Sequence, residues 1–155
     1  MTFFIFLLAC AAAASTGFFF KPGPWYESLA KPGFTPPGWA FPLAWSVIYL
    51  LLAWVGYRLS LMPGSQVVLA LWAAQIALNT LWTPVFFGLR RMGAGLAIIC
   101  LLWLAVAATM LAFWQVDWVA GALFAPYLLW VTIAAALNRS VLVRNPAGQG
   151  AAVGA

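Results

Sequence analysis

Five long apolar runs constrain this chain more than any short motif does. Only seven of its 155 residues are Lys or Arg, and two are Asp or Glu. A soluble domain needs more charge than this to cover its surface, whereas a run of about 20 apolar residues crosses the hydrocarbon core of a bilayer. The sequence therefore predicts an all-α membrane protein, built as a bundle of five transmembrane helices.

Turn-forming residues separate the runs into five predicted helices within a single domain of residues 1–144. Asp117 stands at the last turn and is predicted to cap the fifth helix. The Gly- and Ala-rich tail of residues 145–155 is predicted to be disordered. The five helices are expected at residues 3–20, 40–60, 66–88, 93–114 and 117–138.

The first apolar run also has the shape of a secretory signal peptide, since small residues follow it. No Lys or Arg precedes the run, however, and the first basic residue is Lys21. We therefore interpret the run as a retained transmembrane helix.

The first connection, residues 21–40, differs from the short turns elsewhere. It reads KPGPWYESLAKPGFTPPGWA, and this content of Pro and Gly disfavours a long helix. Its aromatic residues are typical of a packed segment, so we expect it to form a lid over one end of the bundle.

Basic residues are distributed unevenly between the two predicted membrane faces. Six lie on the face with the first and third connections and the C-terminus, and only Arg58 lies on the other. Cytoplasmic loops are enriched in Lys and Arg, so the C-terminus is expected in the cytoplasm and the N-terminus outside. The residues of this basic face are Lys21, Lys31, Arg90, Arg91, Arg139 and Arg144.

The stretch ALNTLWTPVFFG places an amide, two hydroxyls and a proline inside the third predicted span. Asn79, Trp82 and Thr83 lie at positions i, i+3 and i+4, so they share one face of the helix. Pro84 cannot donate a backbone hydrogen bond and predicts a kink. Two interpretations of Asn79 stay open: it bonds a ligand, or it bonds a neighbouring helix.

Three tryptophans are predicted to lie at a depth similar to that of Asn79. At a rise of about 1.5 Å per residue, Trp45, Trp82 and Trp130 fall within the half of the bilayer core nearest the basic face. The first connection covers the same half. These positions predict an aromatic, weakly polar pocket beneath the connection, suited to a flat apolar ligand.

Composition disfavours several other kinds of site. The chain has no histidine, and Cys10 and Cys100 do not form a metal-binding motif, so neither a metal nor a fixed cofactor is expected. No charged residue lies in the core of a predicted span, which argues against ion-coupled transport. A net charge of +5 spread thinly along the chain does not predict nucleic-acid binding.

Three segments resemble the TspO/translocator-protein family, whose members are also called tryptophan-rich sensory proteins and peripheral benzodiazepine receptors. WYESLAKPGFTPPGWAFPLAW, residues 25–45, resembles the family signature in the first connection. NTLWTPVFFG, residues 79–88, and PYLLW…ALN, residues 126–138, resemble its third- and fifth-helix motifs. The proteobacterial branch of the family is the most similar.

The resemblance implies a five-helix bundle in the bacterial cell envelope, inner or outer membrane, that usually forms a homodimer. It implies binding of porphyrins, other tetrapyrroles or similar planar hydrophobic molecules, for sensing or translocation. Trp45 and Trp130 become the candidate catalytic residues if the protein degrades porphyrin in light. The ligand-binding positions that carry over are Tyr26, Pro36, Phe41, Trp45, Tyr49, Asn79, Trp82, Thr83, Trp130 and Ala134.

Two alternative functions stay open beside ligand binding. One is a light-dependent enzyme that degrades porphyrin, and the other is a dimeric regulatory scaffold or sterol-binding protein. Animal members follow the ALN segment with an aromatic residue of a proposed cholesterol motif. Arg139 takes that position here, which disfavours sterol transport.

Small residues on the third helix predict a surface for self-association. Ala70 and Ala74 form one pair four residues apart, and Ala73 and Ala77 form another. Small side chains let two transmembrane helices approach closely. At about 100° per residue, Asn79 points away from Ala70, so this helix is expected to face a partner on one side and a ligand on the other.

Overall fold

The computed structural model describes residues 2–146, in which all regular structure is helical. Of the tail predicted at 145–155, residues 147–155 lie outside the described part of the chain. The elements are α1 (Thr2–Phe19), α2 (Pro24–Ser28), α3 (Ala40–Ser60), α4 (Gln66–Thr83), a π-helical turn (Pro84–Gly88), α5 (Met92–Val116), α6 (Trp118–Leu123) and α7 (Ala125–Arg144).

Five helical segments are long and apolar enough to cross a bilayer, which confirms the prediction of a five-helix bundle. The fifth span, formed by α6 and α7 together, reaches Arg144 rather than residue 138. Helix continues past the end of the apolar pattern because Asn138 and Val141 are still buried by their neighbours. Which face of the bundle is cytoplasmic stays a prediction.

Neighbouring spans pack in an order that leaves one gap in the bundle. α1 packs on α3 and α4, while α5 packs on α4 and on α7. α3 and α7 meet at few points, among them the aromatic pairs Phe41–Trp130 and Trp45–Tyr127. The two helices therefore border a region where side chains, rather than closely packed backbones, fill the space.

The kink predicted at Pro84 is a π-helical turn. Pro84 follows α4 directly, and its carbonyl accepts a hydrogen bond from the N–H of Leu89 at 2.9 Å. A π-helical turn widens the helix by one residue and is frequent at functional sites. Phe86, in the middle of this turn, points into the protein and is 2% exposed.

Among the described residues, a single ion pair lies at the end of the bundle opposite the first connection. Arg58, in the last turn of α3, hydrogen-bonds Asp117 at the junction of α5 and α6. Asp117 Oδ1 also accepts from the N–H of Val119 at 3.0 Å, so the expected cap of the fifth span is confirmed. The hydrogen bond from Arg58 lowers the pKa of Asp117 below its ordinary value of 3.8.

Replacing Arg58 by Met should lower the melting temperature of the detergent-solubilised protein at neutral pH, because Asp117 loses its ion-pair partner. A carboxylate with a lowered pKa stabilises the fold fully above pH 3.8 and loses that effect as the pH falls towards the lowered value. Thermal melts between pH ~2.5 and ~7 should show a smaller loss in Arg58→Met than in the wild type, because only the bond from Val119 remains. Lys21→Met, on the basic face, is the control and should keep the wild-type pH dependence.

Candidate ligand-binding site

A small cavity of about 30 Å³ lies between the first connection, the π-helical turn and α7. Its walls are mainly aromatic and aliphatic, and the described lining residues carry no charge. The lining residues are Tyr26, Phe41, Trp82, Phe86, Phe87, Ala134, Leu137, Asn138 and Val141.

The first connection is packed onto the bundle by apolar side chains. Leu29 is buried in a cluster with Phe86, Met92 and Val141. Trp25, in α2, lies edge-on to Phe86 with 5.9 Å between ring centroids. The connection is therefore packed on the bundle, and it contributes Tyr26 to the cavity wall.

Tyr26 forms the part of the cavity wall contributed by the first connection. Its ring lies edge-on to Phe87 at 5.3 Å, and Lys31 Nζ lies 4.7 Å from the centre of the same ring. Burial raises the pKa of Tyr26 above its ordinary value of 10.0. Its hydroxyl is therefore neutral at physiological pH.

Asn145 ties the first connection to the end of α7. Asn145 Oδ1 accepts from the N–H of Ala30 at 2.9 Å, and Asn145 Nδ2 donates to the carbonyl of Ala30 at 3.0 Å. One side-chain amide thus satisfies both backbone groups of a residue in an irregular segment, as a neighbouring strand would. Asn145, the first residue of the predicted tail, therefore makes specific contacts.

Trp82 and Asn138 connect three helical segments beside the cavity. Trp82 stacks on Phe86 at 5.2 Å with 16° between the ring planes, and its Nε1 donates to Asn138 Oδ1 at 3.3 Å. Asn138 Nδ2 donates to the carbonyl of Met92 at 2.9 Å. Gly95 leaves room for this arrangement, because a Cβ there would lie 3.1 Å from Asn138 Oδ1.

A second group of aromatic residues fills the gap between α3 and α7. Trp45 stacks on Tyr49 at 5.5 Å and lies edge-on to Tyr127 at 6.2 Å, while Phe41 lies edge-on to Trp130 at 5.5 Å. We call these five residues the aromatic wedge. Phe41 belongs to both the wedge and the cavity wall, so the two regions adjoin.

Two amides from α4 bond the tyrosines of the aromatic wedge. Asn79 Nδ2 donates to the hydroxyl of Tyr49 at 3.1 Å, and the hydroxyl of Tyr127 donates to Gln75 Oε1 at 2.9 Å. Asn79 is 2% exposed and Gln75 is fully buried. Asn79 thus bonds a neighbouring helix, which is the second of the two interpretations left open above.

Two buried side-chain nitrogens in the described part of the chain have no hydrogen-bond partner. They are Trp130 Nε1 and Gln75 Nε2. A buried donor without an acceptor costs about 1–3 kcal/mol, so each such atom calls for an explanation. Both belong to residues in or against the aromatic wedge.

A larger hollow, about 380 Å³, lies on the outer surface between α5 and α7. It is an open groove that faces the surrounding lipid. Its polar groups are paired, since Trp103 Nε1 donates to Thr132 Oγ1 at 2.8 Å. Size alone therefore does not make this groove the better candidate.

The profile of the TspO/MBR family matches residues 4–144, nearly the whole described chain. The chain belongs to the TspO/MBR family. It is 53% identical to the tryptophan-rich sensory protein of Cereibacter sphaeroides, over 92% of this chain and 90% of the relative. It is 51% identical to protein CrtK of Rhodobacter capsulatus, covering 93% and 92%. The translocator protein of Homo sapiens is 36% identical, covering 81% and 78%.

The site residues inferred from resemblance to the TspO/MBR family fall into three sets. Trp82 shares the cavity with Tyr26, Phe41 and Ala134, but lies apart from the other two deep tryptophans. Pro36 and Thr83 are half-buried and line neither region. The residues placed in or against the aromatic wedge are Trp45, Tyr49, Asn79 and Trp130.

Sequence reasoning missed several residues of the site. Gln75 and Asn138 are amides inside spans, and the argument that singled out Asn79 applies equally to both. Phe86 and Phe87 carried no signal beyond their position after Pro84, because only the π-helical turn decides which of them points inward. Leu137 and Val141 lay at or beyond the predicted helix end.

Replacing Asn138 by Leu should destabilise the protein by roughly 1–3 kcal/mol, because Trp82 Nε1 loses its acceptor and the Met92 carbonyl loses its donor. The melting temperature in detergent measures this effect. Ser140→Ala is a matched control on the same helix, since Ser140 is only half-buried and accepts from Arg144 Nε at 3.2 Å. Equal melting temperatures for the two variants would mean that Asn138 does not connect the segments.

Proposed function

We propose that this chain binds flat, largely apolar ligands of the tetrapyrrole type, between the first connection, the π-helical turn and the aromatic wedge. The buried N–H of Trp130 carries the proposal. It has no acceptor within the described residues, and its ring contacts Phe41 in the cavity wall. An acceptor atom on a ligand would satisfy this donor.

The surroundings of Trp130 favour binding over acid–base catalysis. Aromatic rings dominate both regions, and stacking on such rings contributes about 0.5–1.5 kcal/mol per pair beyond simple burial. The described cavity lining contains no carboxylate or amine that could transfer a proton. A neutral, aromatic site of this kind suits a flat conjugated ring.

Binding of a tetrapyrrole requires the covering segment to move. Pockets for drug-sized ligands have volumes of about 300–1,000 Å³, whereas this cavity has about 30 Å³. The first connection is the element that can move, because its attachments are a few side-chain contacts and the bonds of Asn145. A ligand-dependent movement also suits sensing, the role in the name of the Cereibacter sphaeroides relative.

Protoporphyrin IX should quench the tryptophan fluorescence of the purified protein saturably, with micromolar affinity. Trp130→Phe keeps an aromatic ring and removes the N–H, so it should weaken binding by about 2- to 10-fold, the value of one hydrogen bond. Trp103→Phe is the matched control, because the indole of Trp103 is bonded to Thr132 on the lipid-facing side.

The results separate the parts of this proposal. Without saturable quenching in the wild type, tetrapyrrole binding is wrong. Equal affinities for Trp130→Phe, Trp103→Phe and wild type would show that the ligand does not accept from Trp130 Nε1.

We further propose that the chain forms a homodimer through α4. Ala70, Ala73, Ala74 and Ala77 are all exposed on the outer surface of the bundle, while Asn79 is buried on the inner side. The small side chains let a second helix approach closely, and dispersion contacts then stabilise the pair in lipid.

Replacing both Ala70 and Ala74 by Leu should shift the detergent-solubilised protein towards monomer, because the larger side chains keep the two α4 helices apart. Size-exclusion chromatography with light scattering measures the mass. The double variant Ala11→Leu, Ala14→Leu makes the same change on the exposed side of α1 and should leave the mass unchanged. A dimer that survives in the α4 variant would place the interface on another helix.

A further inference from the structure

Gln75 is a fully buried amide in the interior of the bundle whose amino group is unpaired among the described residues. Its Oε1 accepts from the hydroxyl of Tyr127 at 2.9 Å, but its Nε2 has no acceptor among the described residues. Asn79, one turn along α4, donates through its own nitrogen to Tyr49. The unused donor is therefore a property of Gln75 and not of every amide on this helix face.

The unused donor of Gln75 lies in the same region as that of Trp130. Gln75 is bonded to Tyr127, and Trp130 follows Tyr127 by three residues along α7. At about 1.5 Å per residue, Trp130 lies roughly 4.5 Å closer to the basic face than Tyr127 does. The N–H of Trp130 thus lies on the cavity side of the aromatic wedge, and the N–H of Gln75 lies against the wedge and deeper in the bundle.

The chemistry around Gln75 selects the kind of acceptor that would bind there. Gln75 is bonded to the hydroxyl of Tyr127, whose ring lies edge-on to Trp45, and all three side chains are uncharged. A carboxylate at this depth would lose its hydration without a cation to replace it. A neutral carbonyl oxygen loses far less and accepts well from an amide N–H.

We propose that Gln75 is a specificity-determining residue, whose Nε2 donates to a peripheral carbonyl at the deep edge of a planar macrocycle. The assignment rests on the proposed ligand-binding function and extends it by naming a ligand class. The site distinguishes rings that carry a ketone, acetyl or formyl group from rings that carry only hydrocarbon substituents. The edge of the ligand reaches Gln75 past Trp45, which contacts both tyrosines of the wedge.

Two porphyrins of nearly equal size test the assignment. Mesoporphyrin IX carries two ethyl groups where diacetyldeuteroporphyrin IX carries two acetyl groups, and the rest of the ring is the same. The wild-type protein should bind the diacetyl compound about 2- to 10-fold more tightly, as expected for one added hydrogen bond. Fluorescence titration of the purified protein measures both affinities.

Gln75→Leu should abolish this preference, so that the variant binds the two porphyrins with equal affinity. Gln75→Met, which keeps the length of the side chain, should do the same and serves if the Leu variant does not fold. Thr109→Val is the matched control, because Thr109 is also fully buried but its hydroxyl bonds the carbonyl of Ala105 within α5. The control should keep the full preference.

The outcomes distinguish this assignment from the proposed function. If neither porphyrin binds the wild type, the proposed function itself is wrong. If both bind equally, or if the preference survives Gln75→Leu and Gln75→Met, the assignment to Gln75 is overturned, and the amide serves helix packing or an internal water. The comparison in the wild type alone can overturn it even when no variant folds.

Discussion

Polar side chains on one face of α4 are buried away from bulk water, so they need hydrogen-bond partners within the protein. These hydrogen bonds determine how the other helices are arranged around α4. The partners alternate along the helix. Trp72 and Asn79 bond α3, through the Leu52 carbonyl at 2.9 Å and the hydroxyl of Tyr49. Gln75 and Trp82 bond residues of α7. α3 and α7 are thus held on either side of α4, and the space left between them is the aromatic wedge.

Much of this architecture could be predicted from the sequence alone, because a bilayer restricts each span to an apolar helix of about 20 residues. Apolar runs locate the spans, and the 100° step of a helix correctly places Ala70 and Asn79 on opposite sides of α4. Depth along each helix also places Trp45, Trp82 and Trp130 in one half of the bundle. Depth does not specify, however, how each helix is rotated about its own axis. This rotation places Trp82 at the cavity and Trp45 and Trp130 in the aromatic wedge.

The remaining features depend on contacts that no local pattern encodes. An amide in a span signals a hydrogen bond but does not identify the acceptor, so Asn79 could be assigned to either a ligand or a helix. Pro84 predicts a break but not its form, and only a π-helical turn directs Phe86 inward. The burial of Leu29 and the bonds of Asn145 depend on how two distant segments meet, so neither could be recognised in the sequence.

The contact between Asn145 and Ala30 joins residues 115 positions apart. During translation at about 5–20 residues per second, the first connection is made on the order of ten seconds before its partner residue exists. Throughout that interval the N–H and carbonyl of Ala30 lack the partner that Asn145 later supplies. The order of synthesis therefore makes closure of the bundle's end one of the last steps in its assembly, after the final span has entered the bilayer.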